Sequence, residues 1–118
     1  MKTVQNRAAQ GDVFFRKVKT IPDGFAKQKR RGPIVVAHSE TGHNHEIEAL
    51  GCFHFTKPTE AMVSYLQLAD GCGGGIDVVH KRTFDTHETL RLLGKPGDVF
   101  EVRRQREWTP EGWRRVED

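Results

Sequence analysis

The stretch Gly94-Lys95-Pro96-Gly97-Asp98-Val99-Phe100-Glu101-Val102 joins a tight turn directly to an alternating apolar run. Proline next to glycine favours a reverse turn, and the residues that follow predict a long strand over 99–108. Runs of the same kind predict further strands at residues 13–18, 34–37, 43–50, 51–55, 76–80 and 86–93. Many short strands separated by turns indicate an all-β fold, a small single-domain barrel or sandwich that spans residues 1–118.

The remaining segments are less regular. Residues 60–69 fit both helical and strand spacing, and the strands on either side favour a strand. Residues 1–10 are predicted as an N-terminal arm, residues 20–33 as a basic loop, and residues 109–118 as a C-terminal tail. In that tail Thr109 can cap, and Pro110 can open, one short helical turn.

The composition supports one modest core. Of the 118 residues 36% are hydrophobic and 30% are charged, which is typical of a globular domain and not of a disordered chain. No apolar run reaches the ~18 residues of a membrane span, and the first residues lack the apolar stretch of a signal peptide. We therefore expect a cytoplasmic protein with no membrane partner, in which Cys52 and Cys72 stay free thiols.

A histidine cluster is the sharpest chemical feature of the chain. On a strand, His43 and His45 point to one face with Cα atoms roughly 6.5–7 Å apart, so both imidazoles can reach one ion. Asp85 and His87 repeat that spacing. We expect the four side chains to meet in one cavity as a site for a divalent metal, zinc or iron. The alternative is that these histidines are neutral polar groups without a metal.

Two resemblances follow from these motifs. The His43-Asn44-His45 pair and the Pro96-Gly97 turn resemble the two motifs of small cupins over residues 34–102, although no histidine follows the turn, and this resemblance implies a cupin-like barrel with a metal inside. The chain is also similar to a family of small bacterial and phage proteins, through the residues Gln10-Gly11-Asp12-Val13, Thr41-Gly42-His43-x-His45, His87, Arg104-Gln105-Arg106-Glu107-Trp108 and Arg114-Arg115-Val116. That likeness implies a shared fold and site.

Basic residues gather in two places, although 19 Lys and Arg against 16 Asp and Glu leave a net charge of only +3. Arginines beside a tryptophan can bind phosphates and stack on bases. A solvated surface is the simpler interpretation. The candidate residues for a nucleic acid or a host protein are Lys27, Lys29, Arg30, Arg31, Arg104, Arg106, Trp108, Arg114 and Arg115.

Two functions are therefore predicted. The first is a small metal- or ligand-binding β-barrel module that uses the histidine cluster; as an enzyme it would activate water or oxygen on its metal. The second is a phage or bacterial accessory protein that binds a host protein or nucleic acid through its basic loop and arginine-rich end. Whether the protein is an enzyme stays open, and an exposed edge strand would permit a homodimer.

Overall fold

The computed structural model describes residues 2–29, 32–37, 44–48, 51–80 and 89–104, and the backbone alone of residues 106–109 and 112–115. Within these residues the protein is all-β, as predicted. The strands are β1 (Lys2–Val4), β2 (Arg7–Gln10), β3 (Val13–Val18), β4 (Ala26–Lys27), β5 (Ile34–Ala37), β6 (His45–Ile47), β7 (Cys52–Thr56), β8 (Val63–Leu68), β9 (Gly75–His80), β10 (Leu90–Leu93), β11 (Val99–Arg104), β12 (Arg106–Thr109) and β13 (Gly112–Arg115).

The strands form two main sheets and a hairpin. The first sheet has the order β1-β10-β9-β6-β5, and the second has the order β2-β3-β11-β8-β7-β4. Only β1 and β10, among the described strand pairs, run parallel; the others are antiparallel. Strands β12 and β13 pair only with each other.

One hydrophobic core joins the two sheets. In the second sheet, Phe100 and Leu66 are fully buried, and so are Ile76 and Leu92 in the first sheet. These residues alternate with more exposed ones along each strand because successive side chains of a strand point to opposite faces. Burying each of these large side chains contributes about 1.5–3 kcal/mol to folding, so this layer fixes how the sheets face each other.

The structure decides the segment whose spacing fitted both a helix and a strand. The ambiguous segment 60–69 contains strand β8, whose Ser64, Leu66 and Leu68 are all buried at alternate positions. Cys52 and Cys72 are both buried thiols that are not joined in a disulfide. Among the described residues, no helix is long and apolar enough to cross a bilayer.

Other segments differ in detail from the predicted elements. The predicted N-terminal arm, residues 1–10, contains strands β1 and β2, in which Val4 and Gln10 are only 3% exposed. The long strand 99–108 is two strands, since β11 ends at Arg104 and β12 turns away to pair with β13. The short helical turn is not seen: Thr109 pairs with Gly112 as strand residues, and residues 110–111 lie outside the described residues.

Candidate functional site

Five polar side chains lie buried together at one end of the two sheets, where β2 turns into β3. They come from both sheets, because β2 and β11 belong to the second sheet and β6 and β9 to the first. Four of them are at most 3% exposed, and the fifth has a side chain 8% exposed. Burying so many polar groups is costly unless they satisfy one another or hold a ligand. We call this group the polar cluster: Gln10, Asp12, His45, His80 and Arg104.

Gln10 fixes the orientation and tautomer of His45. The Gln10 Nε2 group donates to the Val78 carbonyl oxygen over 2.9 Å, so its Oε1 faces the His45 ring. His45 Nδ1 lies 2.8 Å from that oxygen. An amide oxygen only accepts hydrogen bonds, and therefore His45 Nδ1 carries the proton and donates it. The other ring nitrogen, Nε2, points to the opposite side of the ring, away from Gln10.

The carboxylate of Asp12 lies on that side. Its Oδ1 is 3.6 Å from His45 Nε2, and its Oδ2 is 3.9 Å from an Arg104 guanidinium nitrogen. Asp12 stands in the turn between β2 and β3, and Arg104 is the last residue of β11, opposite Val13 in the register. The hairpin of β2 and β3 therefore carries the carboxylate to the edge of the histidine ring.

His80 packs flat against His45. The two residues are paired in the register of β6 and β9, and their rings stack with centroids 4.0 Å apart and planes 8° apart. A metal ion binds imidazole in the plane of the ring, along the nitrogen lone pair. Two parallel rings 4.0 Å apart do not share one such point. In this arrangement His80 holds the plane of His45 and is not a second ligand of the same ion.

The predicted metal ligands are only partly placed. His45 lies in the polar cluster, whereas His43, Asp85 and His87 lie outside the described residues. Within the part of the chain that is described, no group of three or more His, Cys, Asp or Glu side chains is arranged to hold a metal.

Sequence reasoning missed the roles of three members of the cluster. Gln10 and Asp12 are polar residues flanking a glycine turn, a pattern that indicates a hairpin but not its partner. His80 ends an apolar strand, and only the pairing of β6 with β9 shows that it meets His45.

The structure describes only some of the residues of the predicted basic surface. Lys27 and Lys29 are exposed, and the Lys27 Nζ lies 4.4 Å from the centroid of the Phe53 ring. Arg30 and Arg31 lie outside the described residues. The expectation that Arg104 belongs to this surface is wrong, because Arg104 points inward between the sheets, towards Asp12.

The arginine-rich end forms the hairpin of β12 and β13. Its backbone register pairs Arg106 with Arg115 and Trp108 with Trp113, and Glu107 with Arg114. The hairpin therefore brings three of the predicted arginines and both tryptophans of the chain onto one small unit.

A cavity of about 340 Å³ opens between β5 of the first sheet and the inner face of the second sheet. Its inner wall includes Val36, Ser64, Val102 and Arg104, and its outer rim includes Glu60. We call it the side cavity. Because Arg104 lines it and also approaches Asp12, the side cavity adjoins the polar cluster.

His54 lines the side cavity from β7. Its Nε2 is buried and has no hydrogen-bond partner among the described residues. Desolvation by burial lowers the pKa of His54 from 6.5 to about 4, since the charged imidazolium is disfavoured away from water. His54 is therefore a neutral hydrogen-bonding group at neutral pH.

On the outer face of the second sheet, the carboxylate of Glu101 accepts hydrogen bonds from several side chains. The Tyr65 hydroxyl donates to Glu101 over 3.1 Å, and Arg103 Nε donates over 3.2 Å. Arg16 lies 3.4 Å away. Burial acts to raise the pKa of Glu101, but the bonds from Arg103 and Tyr65 and the two arginine charges hold that pKa below 4.5.

Comparison with known proteins identifies a family whose function is not established. The family model described as a domain of unknown function, DUF8820, matches residues 9–105, a span that contains the whole polar cluster. No curated protein and no solved structure matches the sequence.

Proposed function

The chain belongs to the DUF8820 family of domains of unknown function, and we propose that it is a small metal-binding β-module whose ion is held at the polar cluster. The observation that carries this proposal is the facing pair of His45 Nε2 and Asp12 Oδ1 in the fully buried end of the sandwich. Zinc or iron(II) suits such nitrogen and oxygen ligands.

The first support is the way His45 is held. Metal-binding histidines donate their second ring N–H to an oxygen atom, which fixes the ring and makes the ligand nitrogen more basic. The Gln10 amide oxygen accepts from His45 Nδ1, and the Gln10 amide is itself anchored on the Val78 carbonyl. Nε2 is therefore pre-oriented, and the stacked His80 ring restricts rotation out of that plane.

The second support is the separation of the two candidate ligand atoms. Bonds of about 2.0–2.1 Å in a tetrahedral site place neighbouring ligand atoms about 3.4 Å apart. The Nε2 to Oδ1 distance is 3.6 Å, so a small shift brings both atoms onto one ion.

The remaining ligands are expected from two neighbouring segments of the chain. His43 stands two residues before His45, and Asp85 and His87 follow His80 by five and seven residues. Both segments join strands that meet at the polar cluster, since β6 begins at His45 and β9 ends at His80. We propose His43, Asp85 and His87 as the ligands that complete the set, which also follows the cupin-like expectation.

Elemental analysis of protein purified without an affinity tag tests this function. We expect close to one equivalent of zinc or iron after loading, and less than about 0.1 equivalent in Asp12→Asn, an isosteric change that removes a ligand charge. Glu46→Gln is the matched control, because Glu46 neighbours His45 on β6 but is not in the polar cluster. Less than about 0.1 equivalent in the loaded wild-type protein, or equal loading of Asp12→Asn, would overturn the proposal.

We propose a second function, binding of a nucleic acid, from the hairpin of β12 and β13. Its register sets Arg106 opposite Arg115 beside two paired tryptophans, the residue types that contact phosphates and stack on bases. Replacing Arg106, Arg114 and Arg115 by alanine should weaken binding to single-stranded oligonucleotides and lower its salt dependence, whereas Lys2→Ala should not. Equal binding by the triple variant and the wild type would contradict this function.

A further inference from the structure

The side cavity has the size and lining of a site for a small molecule. Its volume of about 340 Å³ lies within the range of known ligand pockets. Buried apolar side chains from both sheets form its inner wall, while Glu60 and Ala61 at its rim are exposed and leave it open to solvent. Among the described residues, the polar side chains that line it are those of His54, Thr56, Lys57, Glu60, Ser64 and Arg104, and each of them restricts the chemistry of the ligand.

Arg104 is the charged group at the inner end of the side cavity, whose lining also includes Lys57 and Glu60. Its side chain is only 8% exposed, and it reaches the cavity from the end of β11. A guanidinium has five N–H donors in a planar fork, and two of them can bind a carboxylate side by side. Away from bulk water, such charge-assisted bonds are stronger than in solution. Arg104 therefore favours an anionic group at the inner end of the cavity.

His54 and Ser64 add hydrogen-bonding groups that carry no charge. The buried Nε2 of His54 has no partner among the described residues, and Ser64 is 7% exposed on β8. Burial keeps the pKa of His54 near 4, so the ring carries no charge at neutral pH. Val36, Ala37 and Val102 supply the apolar surface next to these groups.

We propose that the side cavity binds a small organic acid, with its carboxylate on Arg104 and its apolar body between Val36 and Val102. The amide of the same acid has the same shape but no charge. It is a poor ligand because it cannot form the two charge-assisted hydrogen bonds with the Arg104 guanidinium. Arg104 belongs both to the polar cluster and to the wall of the side cavity, but the contacts proposed for the acid do not include a metal ion.

Titration with benzoate and benzamide, followed by the backbone amide signals of isotope-labelled protein, tests this site. We expect saturable shifts with benzoate, centred on Ala37, Ser64 and Arg104, and at least tenfold weaker binding of benzamide. Arg104→Gln should bind benzoate at least tenfold more weakly. Arg103→Gln is the matched control: Arg103 is the neighbouring arginine on β11, and it pairs with Glu101 on the outer face.

The outcomes separate this site from the metal site. Benzoate binding that persists in chelator-treated protein supports the cavity even where no metal is found. Equal affinity for benzoate and benzamide, shifts that avoid the cavity, or equal losses in Arg104→Gln and Arg103→Gln would each overturn it. Should Arg104→Gln fail to fold, the affinities of the wild-type protein for benzoate and benzamide test the proposed site without that variant.

Discussion

Acidification should destabilise the protein through His54. The pKa of His54 falls from 6.5 in an exposed histidine to about 4 in the folded protein, because burial disfavours the imidazolium. Above pH 6.5 the ring is neutral in both states and contributes no pH dependence. Between pH 6.5 and about 4, His54 is protonated in the unfolded chain but not in the folded protein. The free energy of unfolding therefore falls as the pH is lowered.

The size of the effect follows from that interval. One pKa unit corresponds to about 1.36 kcal/mol, so a shift from 6.5 to about 4 amounts to about 3 kcal/mol of lost stability at full protonation. This is a large part of the roughly 5–15 kcal/mol that stabilises an ordinary domain.

Urea unfolding at pH 7.5, 6.5, 5.5 and 4.5 measures this loss in the wild type and in His54→Gln. Glutamine has no titrating ring, so the variant should lose about 2–3 kcal/mol less than the wild type between pH 7.5 and 4.5. Other titrating groups act on both proteins alike, and the difference between the two pH profiles isolates His54. Profiles that run parallel within about 0.5 kcal/mol would refute the reasoning.

Three further predictions concern other parts of the fold. Glu101→Gln should lower the free energy of unfolding by about 1–3 kcal/mol at pH 7, because it weakens the charged contacts with Arg16 and Arg103. The pKa of Glu101 in the folded protein lies below 4.5. The stabilisation by the Glu101 carboxylate is therefore present above pH 4.5 and disappears as the pH falls through that pKa. A wild-type advantage that is unchanged at pH 2.5 would contradict this. Gly51→Ala should destabilise the protein by about 2 kcal/mol or more, since the added Cβ would lie 2.4 Å from the Cys72 Cα; an unchanged urea midpoint would show that the turn relaxes freely. Both thiols are buried, so a thiol reagent should label Cys52 and Cys72 only as fast as the protein opens, and labelling at the rate of the urea-unfolded chain would contradict the packing around them.

The sequence allowed the fold class to be predicted because the strands are short and the turns are marked by glycine and proline. Val99, Phe100 and Val102 follow a Pro-Gly turn, and β11 forms there as the turn chemistry requires. The register of the strands could not be read in the same way. Local alternation fixes which residues share a face, but not which strand lies beside which.

The candidate site shows the same limit. His45 stood out because a second histidine lies two residues before it, whereas Gln10, Asp12 and His80 have no such signal near them. They reach His45 through contacts between residues 33 to 35 positions apart in the sequence. The alternation of the strand places Arg104 on the same face as Phe100 and Val102. The arginine-rich run indicates that this face reaches solvent at position 104, whereas in the structure it is still buried there, beside Asp12.

The most direct test of the metal site is a crystal structure of the zinc-loaded protein, with anomalous diffraction recorded on both sides of the zinc absorption edge. We expect an anomalous peak within about 2.0–2.2 Å of His45 Nε2 and of an Asp12 carboxylate oxygen, with His45 Nδ1 still bonded to Gln10. A loaded crystal with no peak at the polar cluster, and with His45 Nε2 hydrogen-bonded directly to Asp12, would contradict the proposal that these two residues hold a metal ion.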